Sequence, residues 1–208
     1  MAYDKWWGDL VMFVVITGLD GSGTSTLANK IHEIDKESYV LKTPSYEFSD
    51  RDSIDKSIKP VSSVAHMLYY LSSTVYMSDY IKKNFDISRE NVYLVRYLID
   101  TVVSNRVAGI PIELDYNIYG NNLLIPDATL FITLDEQIRQ SRITERGKSV
   151  LDKVLDDEII RQKFLMEFKK NLDSETTLYI SNDGTNISEI AQDAYEKILK
   201  LDPNKKGR

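Results

Sequence analysis

The residues best placed to do chemistry stand at the end of the first apolar run. Phe13, Val14, Val15 and Ile16 lead through Thr17 into Gly18, Gly21 and Gly23, and the small hydroxylic residues Thr24, Ser25 and Thr26 follow. Gly18 and Gly23 stand at the spacing of the phosphate-binding loop G-x-x-x-x-G-K-[ST]. Glycines let successive backbone N–H groups turn toward one anion, which the positive end of the following helix also attracts. Ser25 falls where the Mg²⁺-ligating hydroxyl of that motif belongs. Thr24 occupies the lysine position and supplies a hydroxyl without charge. A glycine-rich turn also serves plain chain geometry. Its place directly between an apolar strand and a helical pattern favours the phosphate loop.

Composition narrows the setting. The chain has 208 residues, no cysteine and a formal net charge of −6. That length suits one medium α/β domain with a substantial core, expected over 12–200. Without cysteine there is neither disulfide nor thiolate metal site, which agrees with a cytoplasmic protein. The acidic balance argues against general nucleic-acid binding, which needs clustered positive charge. Apolar runs are strand-sized, far below the roughly 20 residues of a membrane span. Residues 1–11 lack the order of a signal peptide and read as an N-terminal extension, with Met12 an alternative start. Trp6 and Trp7 within it either pack on their own domain or dock on a partner. Residues 201–208 form a charged tail.

Periodicity predicts helices over 24–34, 61–85, 99–108, 136–146, 156–172 and 187–199, and strands over 38–41, 91–95, 128–134 and 177–181. Residues 46–60 read as irregular or loosely helical, and 112–126 as a tyrosine- and asparagine-rich connection. Strands alternating with helices imply a parallel sheet covered on both faces. His32 and His66 are isolated and form no metal or catalytic constellation.

Gly18-Leu19-Asp20-Gly21-Ser22-Gly23 resembles the loop of the thymidylate kinase family of P-loop nucleoside monophosphate kinases, in which an aspartate precedes the second glycine. The resemblance covers most of residues 13–199. It implies ATP and Mg²⁺ as cofactors, a nucleotide acceptor and a homodimer through the long helix. It also implies a five-stranded parallel sheet in the order 2-3-1-4-5. Pro126-Asp127-Ala128 to Asp135 resembles the family's fourth strand. The helix after it carries Arg139, Arg142 and Arg146, where the family has the lid arginines that close over the donor phosphates. Arg96, in Val95-Arg96-Tyr97, matches the arginine after the third strand and implies a hold on the acceptor phosphate. Asp20 implies a partner for an acceptor ribose hydroxyl, with capping of the loop as its other use. Asn105 and Arg106 are candidates for the base site, or surface residues.

The sequence departs from the family at three points. Thr24 replaces the loop lysine. Val95 replaces the acid that organises Mg²⁺ and its waters. Val75 stands near the position of the arginine that reads the thymine edge. Phosphoryl transfer depends on positioning and on neutralising the oxygens of the transferring group, so another cation must fill the place of the lysine or the chemistry is slow. Lys42, Lys30 and the lid arginines are the candidates, and Lys42 leads because strand ends face the ligand crevice. A nucleoside hydroxyl is best served by a carboxylate after the second strand; that place holds Lys42-Thr43-Pro44, and the first acid is Glu47. A monophosphate acceptor is therefore favoured over a nucleoside kinase on the same fold. A nucleotide-binding paralogue that acts through a partner is the reading from a different class.

Overall fold

A computed structural model describes residues 12–201 apart from 119, 120, 149 and 185. The extension at 1–11 and the tail from 202 therefore lie outside the described residues. The β-branched run after Met12 forms strand β1 (Phe13–Gly18), buried along its whole length. It is the middle strand of five, with β2 (Tyr39–Lys42), β3 (Val92–Val95), β4 (Ala128–Thr133) and β5 (Thr177–Ser181) arranged in the order β2-β3-β1-β4-β5. All four pairings are parallel, and Ile16 lies beside Val95 on one side and Leu130 on the other. This is the sheet that the family resemblance implies.

Alternation along β1 decides which helices cover which face, because successive side chains point to opposite sides of a strand. Val14 and Ile16 pack with Leu27, Ala28 and Ile31 of helix α1 (Thr24–Ile34) and with Ala191, Ala194 and Ile198 of a C-terminal helix. Phe13 and Val15 face the other way, onto Leu71, Met77 and Ile81 of α2 (Ser63–Asn84) and onto Leu98 and Val102 of α3 (Leu98–Val107). Phe131 of β4 joins a third cluster with Phe164 and Phe168. The remaining helices are α4 (Glu136–Arg146), α5 (Val150–Leu155), α6 (Glu158–Asn171) and α7 (Ile187–Leu199). Asp135, Asp157 and Asn186 cap α4, α6 and α7 by accepting from first-turn N–H groups, as short polar side chains at that position do.

At three places the structure adds detail to the sequence expectation. The helix expected over 156–172 begins at Glu158, and a separate α5 precedes it. Within 46–60 there is a 3₁₀ turn, Tyr46–Phe48, followed by a short helical passage of Arg51–Ser53 and Ile54–Ile58, the latter a π-turn. The connection at 112–126 contains a two-residue antiparallel ribbon, Asn117–Ile118 with Asn121–Asn122. Each is a short element whose form is set by contacts to neighbours, which periodicity does not record. Among the described residues no helix is long and apolar enough to cross a membrane.

Candidate active site

The glycine loop leaves β1 at the centre of the sheet and enters α1 at Thr24. Gly23, the residue before the helix, is left-handed at φ 94°, and Gly21 has φ 86°. A Cβ on Gly23 would stand 2.5 Å from Asn182 Nδ2, and one on Gly21 2.7 Å from Ile143 Cγ1. Conformation and space both demand glycine at these positions. Three loop carbonyls are occupied, two of them by donors from outside the loop. Asp20 O accepts from Arg139 Nη1 at 2.9 Å, Ser22 O from Asn182 Nδ2 at 2.7 Å and Leu19 O from the Ser22 N–H at 3.1 Å. Unlike α4, α6 and α7, helix α1 has no side-chain cap and no acid in its first turn. Its leading N–H groups lack helical acceptors, and with the helix dipole they make a seat for an anion. The Ser22 hydroxyl is buried there without a hydrogen-bond partner. Thr24 is buried in the first turn, Ser25 is half-buried and Thr26 is exposed.

Beside the loop, at the ends of β1 and β3, sits Arg96. It is the non-glycine residue with left-handed backbone among those described, at φ 65°, a conformation costing roughly 1–2 kcal/mol. Its neighbours hold it there: its N–H donates to Ile16 O at 3.0 Å and its carbonyl accepts from Thr43 Oγ1. Its guanidinium bridges Asp20 of the loop and Asp100 of α3, the latter at 2.9 Å. Thr17 Oγ1 donates to the same Asp100 oxygen at 2.7 Å. Burial works against the Arg96 charge, but the two carboxylates outweigh it and hold the group protonated. Burial pushes the Asp100 carboxyl above the usual range, against the pull of Arg96, the Tyr97 N–H and Thr17.

Lys42, at the end of β2, belongs to this crevice. Its ammonium is held below the ordinary lysine value by partial desolvation, then by the charges of Arg51, Arg96 and Arg146, with Asp20 acting in the opposite sense. Lys42 thus stands in a net positive field at the C-terminal edge of the sheet. Such a field is unfavourable by itself and is relieved by an anion. Lys30 is elsewhere, paired with Glu33 at 2.7 Å along α1.

The three arginines of α4 divide the work. Arg139 is buried, with Nε and Nη2 on the Glu136 carboxylate at 2.7 and 2.8 Å and Nη1 on the Asp20 carbonyl. It is a strut beneath the loop rather than a mobile lid residue. Arg142 Nη2 donates to Asn182 O at 3.1 Å, and its Nη1 lies 3.6 Å from the point a Cβ on Gly23 would occupy. Arg146 pairs with the buried Asp152 at 2.8 Å. Asn182, which ties the loop to the end of β5, was not marked by any motif in the sequence.

Other expectations resolve as follows. Val95 is part of the apolar core and Val75 packs against the cluster under α2, so neither place carries a charge. Asn105 is buried and donates to Thr101 O of its own helix at 2.7 Å. Arg106 is committed to Ile112 O and Asn171 at 2.6 and 2.9 Å and to Glu113, which makes it a brace between α3, the following connection and α6. His66 is not isolated: Nε2 meets Asp55 at 2.7 Å. A pocket of about 420 Å³ opens between Lys42, Ser45 and Glu47 on one side and Tyr76 and Tyr80 of α2 on the other.

This loop, crevice and sheet order agree with the comparison to known families, in which the thymidylate kinase family model matches residues 16–194. The chain belongs to the thymidylate kinase family. Nucleoside monophosphate kinase activity comes with that membership. The chain is similar to a probable thymidylate kinase of Pyrobaculum aerophilum, 28% identical over 138 residues, covering 65% of this chain and 71% of that protein. A second, from Pyrobaculum calidifontis, is 26% identical over 155 residues, 73% of this chain and 78% of the relative. In fold it is similar to the thymidylate kinase of Candida albicans, with TM-score 0.67, 21% identity and 90% of each chain covered. It is equally similar to a deoxyadenosine kinase of M. mycoides, with TM-score 0.67, 19% identity, and 90% and 99% covered.

The loop geometry yields a test. Gly23→Ala is expected to lower unfolding stability by about 1–2 kcal/mol in urea titration, from the left-handed φ alone. It should also remove the stabilisation of wild-type protein by inorganic pyrophosphate in a thermal-shift assay. Retained stabilisation would separate the loop from anion binding.

Proposed function

We propose that this member of the thymidylate kinase family transfers the γ-phosphoryl group of ATP, in a Mg²⁺-dependent reaction in the cytoplasm, to a nucleoside monophosphate, with dTMP as the acceptor to be tried first. The observation that carries the proposal is the pairing of an uncapped, glycine-cradled helix N-terminus with a separate crevice of basic residues. One suits a donor phosphate chain, the other an acceptor phosphate. The names of the Pyrobaculum relatives support thymidylate as acceptor.

In this proposal the backbone of Gly18, Asp20, Gly21, Ser22, Gly23, Thr24, Ser25 and Thr26 holds the donor phosphates. The cradle fits: it is closed to a Cβ at Gly21 and Gly23, and it holds an orphaned buried hydroxyl on Ser22. Ser25, at the motif position of the Mg²⁺-ligating hydroxyl and half-buried in the first turn of α1, is the chain's own ligand for Mg²⁺. Bound Mg²⁺ supplies neutralisation of the β- and γ-oxygens. Arg142, beside Gly23, stands in for the charge that Thr24 lacks, and Arg146 extends it. Lys42 and Arg96 hold the acceptor phosphate, and Asp20 keeps the Arg96 guanidinium directed at the crevice. An acceptor phosphate oxygen attacks the γ-phosphorus while the bond to ADP breaks. No proton need leave the nucleophile, so no general base is required, in keeping with Thr43 at the place where a carboxylate would serve a nucleoside hydroxyl. Exposed Val64 and Leu68 on one face of α2 support a homodimer through that helix.

Two outcomes test this. With ATP and Mg²⁺, dTMP should give dTDP and ADP, measured by chromatography of the products, while thymidine gives none. Turnover of nucleosides alone would replace the proposal by a nucleoside kinase, and none with any acceptor by a binding protein. Arg142→Ala is expected to lower kcat by ~10²–10³, the cost of one preorganised donor to developing charge, and Thr24→Lys should recover part of that loss in the Arg142→Ala background. If Lys42→Ala instead abolishes turnover and Thr24→Lys restores it, Lys42 is the substitute.

A further inference from the structure

Strand β2 is an edge of the sheet and is paired on one side only, with β3. The Tyr39 N–H donates to Asn91 O at 2.8 Å and the Thr43 N–H to Val95 O at 3.0 Å, so these residues turn their backbone groups toward β3. Backbone direction alternates along a strand. The N–H and C=O groups of Val40 and Lys42 therefore point to the open edge. There the Val40 carbonyl and the Lys42 N–H lie side by side, an acceptor and a donor of a ladder that no further strand completes.

This edge meets the pocket of about 420 Å³ described above, a volume in the range of small-ligand sites. The wall opposite is α2. Tyr76 and Tyr80 stand one turn apart on it, with ring centroids at 6.1 Å and planes 24° from parallel. The pocket is shut at both ends. At one, Tyr39 packs on Phe85 at 4.7 Å and Phe85 on Tyr80 at 5.9 Å. At the other the chain turns through Tyr46–Phe48, and the Phe48 ring packs on Tyr76 at 5.7 Å. A peptide that adds a strand to a sheet runs along an edge open at both ends; a single flat ring needs no such run. Glu47 also lines the pocket, and a carboxylate there favours a neutral ring over a phosphate. Asp20, Arg96 and the glycine loop are not among the lining residues.

We propose that the open edge of β2 and the tyrosine wall of α2 form a second binding site, for a nucleobase. The base stacks on Tyr76 and Tyr80. One of its N–H groups donates to the Val40 carbonyl, and the neighbouring carbonyl or ring nitrogen accepts from the Lys42 N–H. Nucleobases carry such a donor beside an acceptor, and each has a face to stack. The site is distinct from the donor seat on the glycine loop and from the crevice around Arg96, so it stands or falls apart from the function proposed above.

Guanosine is the probe, because neither an ATP seat nor a thymidylate site calls for guanine. Added to isotopically labelled full-length protein, it should shift the amide resonances of Val40, Leu41 and Lys42 and leave those of Gly21 and Gly23 in place. 1-Methylguanosine, in which a methyl group replaces the ring N–H, should bind about tenfold more weakly, the scale of one lost hydrogen bond. Tyr80→Ala should weaken guanosine by about tenfold or more, as the loss of a base–aromatic stack does, and Tyr80→Phe should keep it. Tyr46→Ala, at a lining side chain 88% exposed, gives a second reading that leaves the packing alone, with a loss of about fivefold, toward the lower end of that scale. GMP should shift the same three amides; equal affinity identifies a nucleoside as the natural ligand, and tighter binding a nucleotide. Unmoved Val40 and Lys42 amides, binding of GMP but not of guanosine, or equal binding of 1-methylguanosine overturns the site.

Discussion

The site depends on what happens to the carbonyl groups of the glycine loop. A tight loop can turn its N–H groups toward an anion only if its carbonyls are directed elsewhere and find donors there, because a buried peptide group left unpaired costs about as much as a lost hydrogen bond. Arg139 takes the Asp20 carbonyl and Asn182 takes that of Ser22. Both side chains are almost wholly buried. Arg139 in turn is held by Glu136, which also draws Arg161 from α6 at 3.3 Å. Burial raises the affinity of the Glu136 carboxyl for its proton, and the hydrogen bonds and charges of its partners more than reverse this. The helix after β4 and the end of β5 are thus parts of the loop as much as β1 is.

The loss of the loop lysine is easier to understand on this basis. The backbone seat owes nothing to the side chain of residue 24: it is built by φ at Gly21 and Gly23 and by donors from outside the loop. What Thr24 removes is charge, and charge need not come from the same segment. Arg142 comes within hydrogen-bonding range of the loop's own anchor, Asn182. At the end of β2, partial desolvation and then the charges of Arg51, Arg96 and Arg146 hold the Lys42 ammonium below the ordinary lysine value. Asp20 and Asp100 temper that field by holding Arg96 between them. This bridge keeps the Arg96 guanidinium in place.

Much of this was legible in the sequence. The glycine spacing and the β-branched run placed the loop. The order of strands came with the family resemblance, and Arg96 and the arginines of α4 were found as residues. Their division of labour was not legible. Arg139 and Arg142 lie three residues apart on one helix, and only the packing shows that one is buried under the loop while the other borders it. Asn182 follows a strand of ordinary appearance, and its partner is the carbonyl of Ser22, which carries no side-chain signal. His66 looked solitary because Asp55 lies on a passage whose π-turn has no periodic signature. Helix α5 was missed for the same reason, being a short segment fixed by burial of Leu155 and not by an amphipathic repeat. Contacts between distant backbone groups leave no spacing to read.

The central claim is that the loop binds phosphate through its backbone without a lysine. The most direct measurement follows the amide resonances of isotopically labelled protein as ATP is added with Mg²⁺. The account predicts large, jointly saturating shifts at Gly21, Ser22, Gly23, Thr24 and Ser25, at the nucleotide concentration that also half-saturates thermal stabilisation. Amides of the loop that stay in place while the protein binds ATP elsewhere would contradict it.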